Sequence, residues 1–336
     1  MTASHTKYDI YSIGNALLDT EIEVSDADLE RLGIEKGVMT LVDDQRQADL
    51  VSALDGHMVT AKRASGGSAA NSVIAATYFG AKTYYSCRVA NDDNGTYYLN
   101  DLRAAGVDYH LTNGTQDGVT GKCLVLISPD AERSMNTYLG VSESMSLEDI
   151  DEQALKQSRY VYIEGYLVTS ATALPAAIRV RELAQQHRVK SVVTLSDPAI
   201  VKHFLEPLKQ VVGDGVDMIF CNAQEALQFT GTGNIEHAIE KLKNHAKTFA
   251  ITRGKDGAVL FDGEQTINIA AHQVKAIDAN GAGDMFAGAF LSALCAGQSF
   301  EQAGKLASMA AAKVVSQYGP RLRPEQHQEL LNSLSA

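Results

Sequence analysis

Cysteines, long apolar runs and positive charge are all scarce in this chain of 336 residues. Its four cysteines lie far apart without a CxxC pair, which argues against a zinc site or a disulfide framework and favours a reducing compartment. No run of 18 apolar residues occurs, and the start, MTASHTKYDI, has neither the basic nor the apolar segment of a signal peptide. We therefore expect a cytoplasmic protein that is neither exported nor inserted into a membrane.

The charge balance is acidic, with 29 Lys and Arg against 41 Asp and Glu, a net charge of −12 and a pI near 5.2. This balance gives no general attraction for nucleic acids or anionic membranes, so a small anionic ligand would need local positive groups. Hydrophobic residues make up 45% and charged residues 21%, as in ordinary globular proteins, and we expect the whole chain to fold.

Short β-rich segments alternate with helical patterns along the chain. The strand-like segments begin at Tyr8, Thr83, Arg159, Ser191, Val216 and Thr248. Helical spacing marks residues 95–106, which end at a glycine, residues 174–187, and residues 303–318, which precede a Gly-Pro stop. This alternation predicts an α/β protein with a mostly parallel, doubly wound sheet and helices on both of its faces.

Two ranges, residues 21–64 and 109–140, interrupt this alternation. They contain strand-like pieces without full crossover helices, and SPDAER at residues 128–133 has the composition of a hairpin turn. We predict that they form a small β-rich lid, a second sheet that covers the main one. The main domain would then comprise residues 8–20, 65–108 and 141–331.

The string DANGAGDMFAGAF, residues 278–290, carries the strongest chemical signal. Apolar residues follow helical spacing from Met285, so NGAGD is the turn that leads into a helix. The small residues Gly281, Ala282 and Gly283 allow backbone N–H groups to converge at the positive end of that helix, where a phosphate can bind. Asp284 is then either a helix cap or a general base that takes a hydroxyl proton beside the phosphate.

This string resembles the D-T-x-G-A-G-D-x-F signature of the PfkB (ribokinase-like) carbohydrate kinases, with Ala279 where that family usually has Thr. SGGSAANSVIAA is similar to the family's Gly-Gly motif, and the matching residues are Gly66, Gly67 and Asn71. Taken alone, the segment indicates only a flexible turn that caps a helix beginning near Ser72. The resemblance implies that Gly67 and Asn71 hold hydroxyl groups of the acceptor.

The resemblance extends from about Tyr8 to Gly319 and implies a ribokinase-like three-layer αβα fold with a small β-sheet lid. It also implies an ATP-dependent kinase in which Asp284 is the base and Asn280 to Gly283 stabilise charge on the transferred phosphoryl group. Mg²⁺ is the implied metal, and K⁺ lies beside AIDANGAGD in some relatives. The motifs GxxxxGK[ST], HRD with DFG, and GxGxxG after a strand are missing, which disfavours other nucleotide-binding classes.

Two more segments match family motifs for the nucleotide. CNAQEAL resembles an N-x-x-E element, in which Asn222 and Glu225 would share a helix face and Glu225 would hold Mg²⁺ through water. ITRGKDGAVLF resembles a T-x-G-x-x-G nucleotide loop, with matching residues Thr252, Gly254 and Gly257. Arg253 in that loop either lies near the phosphates or is a solvated hairpin residue.

The acceptor is predicted from residues around the first strand and the third. Asn15 and Asp19 follow the first strand, at the carboxyl edge where open α/β sheets bind ligands, and Asp19 either holds a vicinal diol or lies in a surface loop. GNALLD is similar to the GNPLLD of adenosine kinases, whose Asp holds the ribose hydroxyls. YIEGYLVT is also similar to a segment of those kinases, and Tyr166 is either a core residue or the aromatic that stacks on the nucleobase.

Two further residues bear on the acceptor, Glu164 in YIEGYLVT and Arg133 at the end of SPDAER. Glu164 departs from the small residue usual in adenosine kinases, so inosine and guanosine remain alternatives to adenosine. Arg133 resembles a lid arginine that contacts phosphate or ribose, but an exposed arginine at a hairpin tip has the same sequence pattern.

The sequence therefore predicts an ATP-dependent kinase that phosphorylates the 5'-hydroxyl of a purine nucleoside, above all adenosine. One alternative is a kinase for a free sugar or a sugar phosphate, although Lys62, Arg63 and Arg133 are the only basic residues that would serve such an acceptor. A nucleoside-binding protein without catalysis is the alternative from another class. The expected partner is a small nucleoside or sugar, without nucleic acid or membrane, and the chain is expected to be a monomer or a homodimer.

Overall fold

The computed structural model describes residues 6–56, 62–111 and 115–334, without the side chains of residues 62, 63 and 334. The strands are β1 (Tyr8–Ile13), β2 (Leu17–Glu23), β3 (Met39–Leu41), β4 (Lys62–Gly66), β5 (Thr83–Ser86), β6 (Thr120–Ile127), β7 (Arg133–Gly140), β8 (Ser158–Ile163), β9 (Lys190–Thr194), β10 (Val216–Asn222), β11 (Ala246–Thr252), β12 (Ala258–Phe261) and β13 (Thr266–Ile269). The α-helices are α1 (Asp26–Leu32), α2 (Asp44–Ala53), α3 (Ser68–Tyr78), α4 (Asp93–Ala105), α5 (Glu152–Lys156), α6 (Ala173–His187), α7 (Pro198–His203), α8 (Leu205–Val212), α9 (Ala223–Thr230), α10 (Ile235–Leu242), α11 (Ala282–Cys295), α12 (Phe300–Val315) and α13 (Pro324–Leu334).

The main sheet has the strand order β13-β12-β11-β10-β9-β8-β1-β5. The strands from β5 to β11 in this order are parallel, and β12 and β13 add an antiparallel edge. The order reverses beside β1, so its carboxyl end is a switch point of the kind at which α/β sheets bind ligands. The predicted mostly parallel sheet is confirmed, and all six predicted strands belong to it.

Helices cover both faces of the main sheet. On one face α3, α11 and α12 pack together, and α3 and α11 contact β1. On the other face α5 and α6 contact β8, and α9 contacts β10. Their apolar side chains and those of the strands form one large buried core. The expected three-layer αβα arrangement is confirmed.

The second sheet has the order β3-β7-β6-β2-β4, and side chains alternate between its two faces along β6. On the outer face Leu124 and Leu126 pack with Leu29 of α1 and Leu50 of α2. Cys123 and its neighbours form the inner face. The predicted SPDAER turn joins β6 and β7 as an antiparallel hairpin.

The predicted lid ranges, residues 21–64 and 109–140, contain β3, β6 and β7 together with α1 and α2. Strand β2 begins at Leu17 and β4 ends at Gly66, so both extend beyond the first range. Residues 57–61 and 112–114 of these ranges lie outside the described residues. The division into a main domain and a lid stays a prediction.

Helix ends differ from the predicted ones. The predicted starts near Ser72 and at Met285 are wrong, because the first turns of α3 and α11 consist of small residues without an apolar pattern. Helix α12 ends at Val315 rather than at 318. Helix α13 follows, with the His327 ring 4.5 Å from that of Phe79, the residue directly after α3. No helix in the described part of the chain has the length and apolar character needed to cross a bilayer.

Candidate functional site

A cavity of about 430 Å³ lies where the carboxyl ends of the main strands face the inner side of the second sheet. The N-terminal turns of α3 and α11 also reach it. The predicted acceptor and catalytic residues that line it are Asn15, Asp19, Gly67, Asn71, Arg133, Tyr166, Asn280, Gly281, Ala282, Gly283 and Asp284. Residues that are scattered over the sequence are therefore brought together, although their roles stay predictions.

Asp284 lies half-buried in the first turn of α11. Ser68 Oγ donates to its Oδ1 at 2.6 Å, and Asn71 Nδ2 donates to its Oδ2 at 3.1 Å. Burial raises the pKa of Asp284, while the bonds from Ser68 and Asn71 and the charge of Arg133 oppose the rise. The carboxylate does not cap its own helix, since the N-cap residue is Gly281 and the carboxylate bonds to α3 instead. Such a group can accept a proton inside the cavity.

The turn before Asp284 is shaped for the close approach of a ligand. Gly281 has a φ of +72°, and a Cβ there would lie 2.3 Å from the backbone oxygen of Pro320, so the position requires glycine. No atom lies within 4 Å of the place where a Cβ of Gly283 would be. Ala282 and Gly283 lie in the first turn of α11, where N–H groups lack partners within the helix and favour anions.

Asn280 lines the cavity and also stabilises this turn through hydrogen bonds. Its backbone N–H donates to Asp278 Oδ1 at 2.8 Å, and its Nδ2 donates to Glu21 Oε1 of β2 at 3.1 Å. Asp278 Oδ2 in turn accepts from the N–H of Gly319 at 2.9 Å. These donors of Asn280 are engaged within the protein, as is the N–H of Ala282, which donates to the backbone oxygen of Ala279 at 3.4 Å. The charge-stabilising role of residues 280–283 stays a prediction.

Asp19 and Gly66 meet on the neighbouring strands β2 and β4. A Cβ on Gly66 would lie 2.0 Å from Asp19 Oδ1, so Gly66 serves the site by making room for this carboxylate. Asp19 is only 5% exposed, which rules out the surface-loop alternative. Burial, and then the charge of Glu21, raise the pKa of Asp19 well above its usual range, and Arg321 opposes the rise.

Asn71 has polar atoms for both the base and a ligand. Its Nδ2 holds Asp284, and its Oδ1 is buried without a hydrogen-bond partner among the described residues. Since the side chain lines the cavity, Oδ1 is placed to accept from a ligand hydroxyl.

Tyr166 reaches the cavity from the turn after β8, and Arg133 reaches it from the start of β7. Tyr166, in the 3₁₀ turn Gly165–Thr169, is half-buried, and burial followed by the charge of Asp197 raises its pKa. Arg133 is also half-buried, and its Nη1 donates to the backbone oxygen of Ala279 at 3.1 Å. Both residues line the cavity, so the exposed-tip interpretation of Arg133 does not fit. Tyr166 also packs against the main core, and its stacking role stays a prediction.

Asn222 and Glu225 form a reciprocal cap at the start of α9. The Nδ2 and N–H of Asn222 donate to the two carboxylate oxygens of Glu225 at 2.6 and 3.0 Å, and Glu225 N–H donates back to Asn222 Oδ1 at 2.8 Å. Burial raises the pKa of Glu225 to about 8. Both residues line the cavity.

The metal prediction can be tested against this donor set. Across residues 6–56, 62–111 and 115–334, no group of three or more His, Cys, Asp or Glu side chains could hold a metal ion. Glu225 offers one carboxylate with occupied oxygens. These residues fit a Mg²⁺ ion that is bound mainly by substrate phosphates and water, with Glu225 reached through a water molecule.

A second cavity of about 320 Å³ adjoins the first at Ala282 and Gly283. Its apolar lining includes Val274, Ala276, Ala312 and Val315. The predicted nucleotide-loop residues Thr252, Gly254 and Gly257 also line it. An apolar slot that opens onto an anion-binding turn suits a nucleotide base and its phosphates.

Arg253 is not brought to either cavity. Its Nη2 donates to the backbone oxygen of Asp256 at 3.1 Å, within its own turn. Arg253 follows Thr252, the last residue of β11, and successive side chains at a strand end point in opposite directions. This bond fits a hairpin residue, but Arg253 is half-buried and its Nε is buried without a partner in the described part of the chain, so its contact with phosphate stays a prediction.

Sequence reasoning missed several residues of the site. Ser68 was part of the quoted glycine motif but received no role, although it holds Asp284. Ser196 lines the cavity with a φ of +71° and a buried hydroxyl that has no partner in the described part of the chain. Glu164 was noted only as a departure from related sequences. Each lies at a strand end or a helix start, and that position was the available signal.

Comparison with known proteins adds the decisive observation. The model of the pfkB family carbohydrate kinases matches residues 39–327, which is most of the chain. The chain belongs to the pfkB family of carbohydrate kinases. As a pfkB kinase it is a phosphotransferase that binds ATP and has an alcohol group as acceptor.

Relatives of this pfkB kinase include an adenosine kinase of Schizophyllum commune, 26% identical, with 95% of this chain and 98% of the relative covered. A ribokinase of Staphylococcus aureus strain COL is 27% identical, with 71% and 77% covered. Among solved structures, adenosine kinase from Sinorhizobium meliloti has a TM-score of 0.92 at 34% identity, with 97% of this chain and 99% of that chain covered. A probable sugar kinase from Rhizobium etli CFN 42 has a TM-score of 0.92 at 33% identity, with 98% and 99% covered.

Proposed function

We propose that this kinase transfers the γ-phosphoryl group of ATP to the 5'-hydroxyl of a purine nucleoside, above all adenosine. The observation that carries the proposal is the apolar part of the first cavity, which lies beside the polar residues that would hold a sugar. Its lining comprises Leu17, Met39, Leu41, Cys123, Met135, Leu139 and Tyr166. A flat purine gains free energy from burial against such side chains, whereas a free sugar has no comparable apolar group to bury.

In the proposed reaction the ribose lies near Asp19 and Asn71, and the purine lies near Tyr166. Asp284 takes the proton of the 5'-hydroxyl as that oxygen attacks the γ-phosphorus, and ADP leaves from the opposite side. The backbone N–H groups of residues 281–283 stabilise the charge on the transferred group. The lid sheet excludes water, which would otherwise compete as acceptor.

The ATP base is proposed to occupy the second cavity, with its phosphates directed to the anion turn. Bound Mg²⁺ would neutralise charge on those phosphates. Dependence on K⁺ is a further part of the proposal, tested by replacing K⁺ with a large organic cation in the assay.

The relatives support a nucleoside acceptor without deciding it. The neighbour from Sinorhizobium meliloti is named an adenosine kinase and matches over nearly its full length. Glu164, the residue that left inosine and guanosine open, accepts hydrogen bonds from Asn15 and Ala69 and so gives no reason to prefer those purines.

A sugar kinase is the second candidate, since one neighbour is named a probable sugar kinase. A sugar phosphate would need several basic side chains, and Arg133 is the one Lys or Arg that lines the first cavity in the described part of the chain. The side chains of Lys62 and Arg63 lie outside the described residues. A protein without catalysis is least supported, because Asp284 and its anion turn are both present.

We further propose that the kinase is a cytoplasmic monomer. Helices α1 and α2 bury the outer face of the lid sheet, which would otherwise be available to a second copy. Four unpaired thiols suit a reducing compartment. A molar mass near the 36.1 kDa of one chain in light scattering would support the monomer, and twice that mass would contradict it.

The test of the proposed function is ADP release with adenosine, inosine, guanosine, ribose and fructose phosphates as acceptors, with ATP and Mg²⁺ present. We expect the highest kcat/KM with adenosine, and the product should carry its phosphate on the 5'-oxygen. Turnover confined to a sugar phosphate would contradict the proposal.

A further inference from the structure

We propose that Glu164 is a positioning residue for phosphoryl transfer, which fixes both the amide of Asn15 and the first turn of α3. The inference rests on the proposed function, because the two segments that Glu164 joins are those that would hold the acceptor and the base. Glu164 follows β8 directly and is 1% exposed, so its carboxylate acts inside the protein rather than at its surface.

Three N–H donors converge on this carboxylate. Oε1 accepts from the backbone N–H of Asn15 at 3.2 Å and from Asn15 Nδ2 at 3.1 Å. Oε2 accepts from the backbone N–H of Ala69 at 2.8 Å. Ala69 lies in the first turn of α3, where the helix dipole favours a negative group. The carboxylate thus bridges the end of β1 and the start of α3.

The surrounding chain leaves room for this bridge and for little else. A Cβ on Gly14 would lie 2.5 Å from Glu164 Oε2 and 2.6 Å from the Cβ of Ala69. The backbone N–H of Glu164 donates to the oxygen of Ile13 at 3.2 Å, which keeps Glu164 beside the end of β1. The position of the carboxylate is therefore set by the backbone on both sides.

One end of the bridge controls what Asn15 offers to a ligand. Asn15 lines the cavity, and one N–H of its Nδ2 is committed to Glu164. Oδ1, an acceptor, and the second N–H of Nδ2 remain for a ligand. Glu164 thereby fixes the orientation of the Asn15 amide, with Nδ2 on the side of Glu164 and Oδ1 on the other side of the amide carbon.

The other end of the bridge supports the base. The first turn of α3 that Glu164 holds through Ala69 also carries Ser68, whose hydroxyl bonds Asp284 at 2.6 Å. Asn71, two residues after Ala69, bonds the second oxygen of Asp284. A shift at Ala69 would move both donors, and a misplacement of about 1 Å can cost a factor on the order of 10² in rate.

Glu164→Gln tests this arrangement because it conserves shape while replacing one acceptor oxygen by a donor. The amide can satisfy Asn15 or Ala69 but not both, since its NH₂ group would face an N–H. Glu152→Gln is the matched control, because it makes the same change at an exposed glutamate in α5 outside the site. Asn15→Ala and the double variant complete a mutant cycle.

We expect Glu164→Gln to lower kcat/KM for the acceptor about 10- to 100-fold, to leave KM for ATP within about twofold, and to shift Tm by less than about 4 °C. The control should match the wild type. In the cycle, the double variant should lose much less than the product of the two single losses. A carboxylate that only stabilises the fold is not expected to lower kcat/KM for the acceptor while leaving KM for ATP unchanged.

Three outcomes would overturn the inference: kcat/KM in Glu164→Gln equal to the control, an equal rise in KM for ATP, or losses that multiply independently in the double variant. If Glu164→Gln does not fold, Asn15→Ala tests the Asn15 end of the bridge by itself, because it leaves the bond to Ala69 intact, and full activity there would refute the role assigned to Glu164 at Asn15. The variants are assayed with whichever acceptor the wild type phosphorylates best. A wild type that prefers a sugar therefore refutes the nucleoside proposal without deciding the role of Glu164.

Discussion

The two donors that hold Asp284, Ser68 and Asn71, come from a different helix than the carboxylate itself. The orientation of the Asp284 carboxylate is therefore fixed by packing between α3 and α11 rather than by its own backbone. A hydroxyl that enters the cavity can bond to Asp284 without a change in that backbone, because both partners are side chains. This arrangement leads to a direct test of the base.

Replacing Asp284 with Asn should keep nucleoside binding and lower kcat by roughly 10² to 10⁴ or more, because the amide cannot take the hydroxyl proton. Calorimetric titration with nucleoside and steady-state turnover measure the two effects separately. Asp214→Asn, at an exposed position remote from the cavity lining, is the control. Nearly normal kcat in Asp284→Asn would refute the assignment of the base.

Replacing Tyr166 with Ala should weaken nucleoside binding by about 10- to 100-fold, since stacking of a base on an aromatic ring is worth about 1–3 kcal/mol. Tyr166→Phe keeps the ring and should bind within about threefold of the wild type, because the hydroxyl that it removes bonds Asp197 within the protein. Equilibrium binding of adenosine checks both. Equal weakening by the two variants would assign the effect to the hydroxyl instead of the ring.

The lid hairpin and the anion turn are joined by backbone as well as side-chain contacts. The N–H of Ala279 donates to the backbone oxygen of Ala131, and Arg133 donates to the oxygen of Ala279. Glu21 of β2 holds Asn280 from the same side. The turn that would bind the phosphoryl group thus contacts two strands of the lid.

Arg133→Ala should lower kcat/KM about 10- to 100-fold, because it removes both the contact to the turn and a positive charge beside Asp284. Stopped-flow or steady-state assays with saturating ATP measure this loss. Arg31→Ala, on the exposed side of the lid in α1, is the control and should behave as the wild type. A loss of the same size in the control would indicate general damage to the lid.

Much of the layered fold could be predicted from the sequence because parallel strands buried on both faces form continuous apolar runs. Helices α1 and α2 were missed within the lid, since their apolar residues are few and point only toward the outer face of a small sheet. The first turns of α3 and α11 were missed because they consist of glycine, alanine and serine, which give no periodic apolar signal. Such small residues would leave room for phosphate and hydroxyl groups.

The residues of the site could be named where a motif fixed them, as with Asp284, but not where tertiary packing did. The contact of Glu164 with Ala69 joins residues 95 apart in the chain, and no local pattern reports it. Arg253 shows a different limit of motif matching. It occupies a matching position in the motif, yet its Nη2 bonds within its own turn.

Buried carboxylates should make the stability of the protein depend on pH above the acidic range. Burial raises the pKa of Glu225 to about 8 and that of Glu164 to about 7. The folded chain then holds protons that the unfolded chain releases, so their contribution to the free energy of unfolding is complete below about pH 4.5 and is lost as pH rises toward 8.

We expect Tm in wild type to fall between about pH 6 and 8.5 relative to Glu225→Gln, which cannot ionise and can keep one of the two bonds that Glu225 accepts from Asn222. Differential scanning calorimetry of both proteins at constant ionic strength measures the difference. The comparison removes the contribution of His327, whose lowered pKa acts in the opposite direction in both proteins. Parallel Tm curves would contradict a raised pKa for Glu225.

The strands β2 and β4 enter and leave the lid side by side, with Leu17 opposite Gly66. Asn15 lies two residues before the start of β2 and Gly67 immediately follows β4, and both residues line the cavity. A molecule bonded to both would join the two points at which the chain passes between the two sheets. An acceptor bonded at both points would restrain the second sheet against the main one, and we expect steady-state kinetics in which the acceptor binds before ATP.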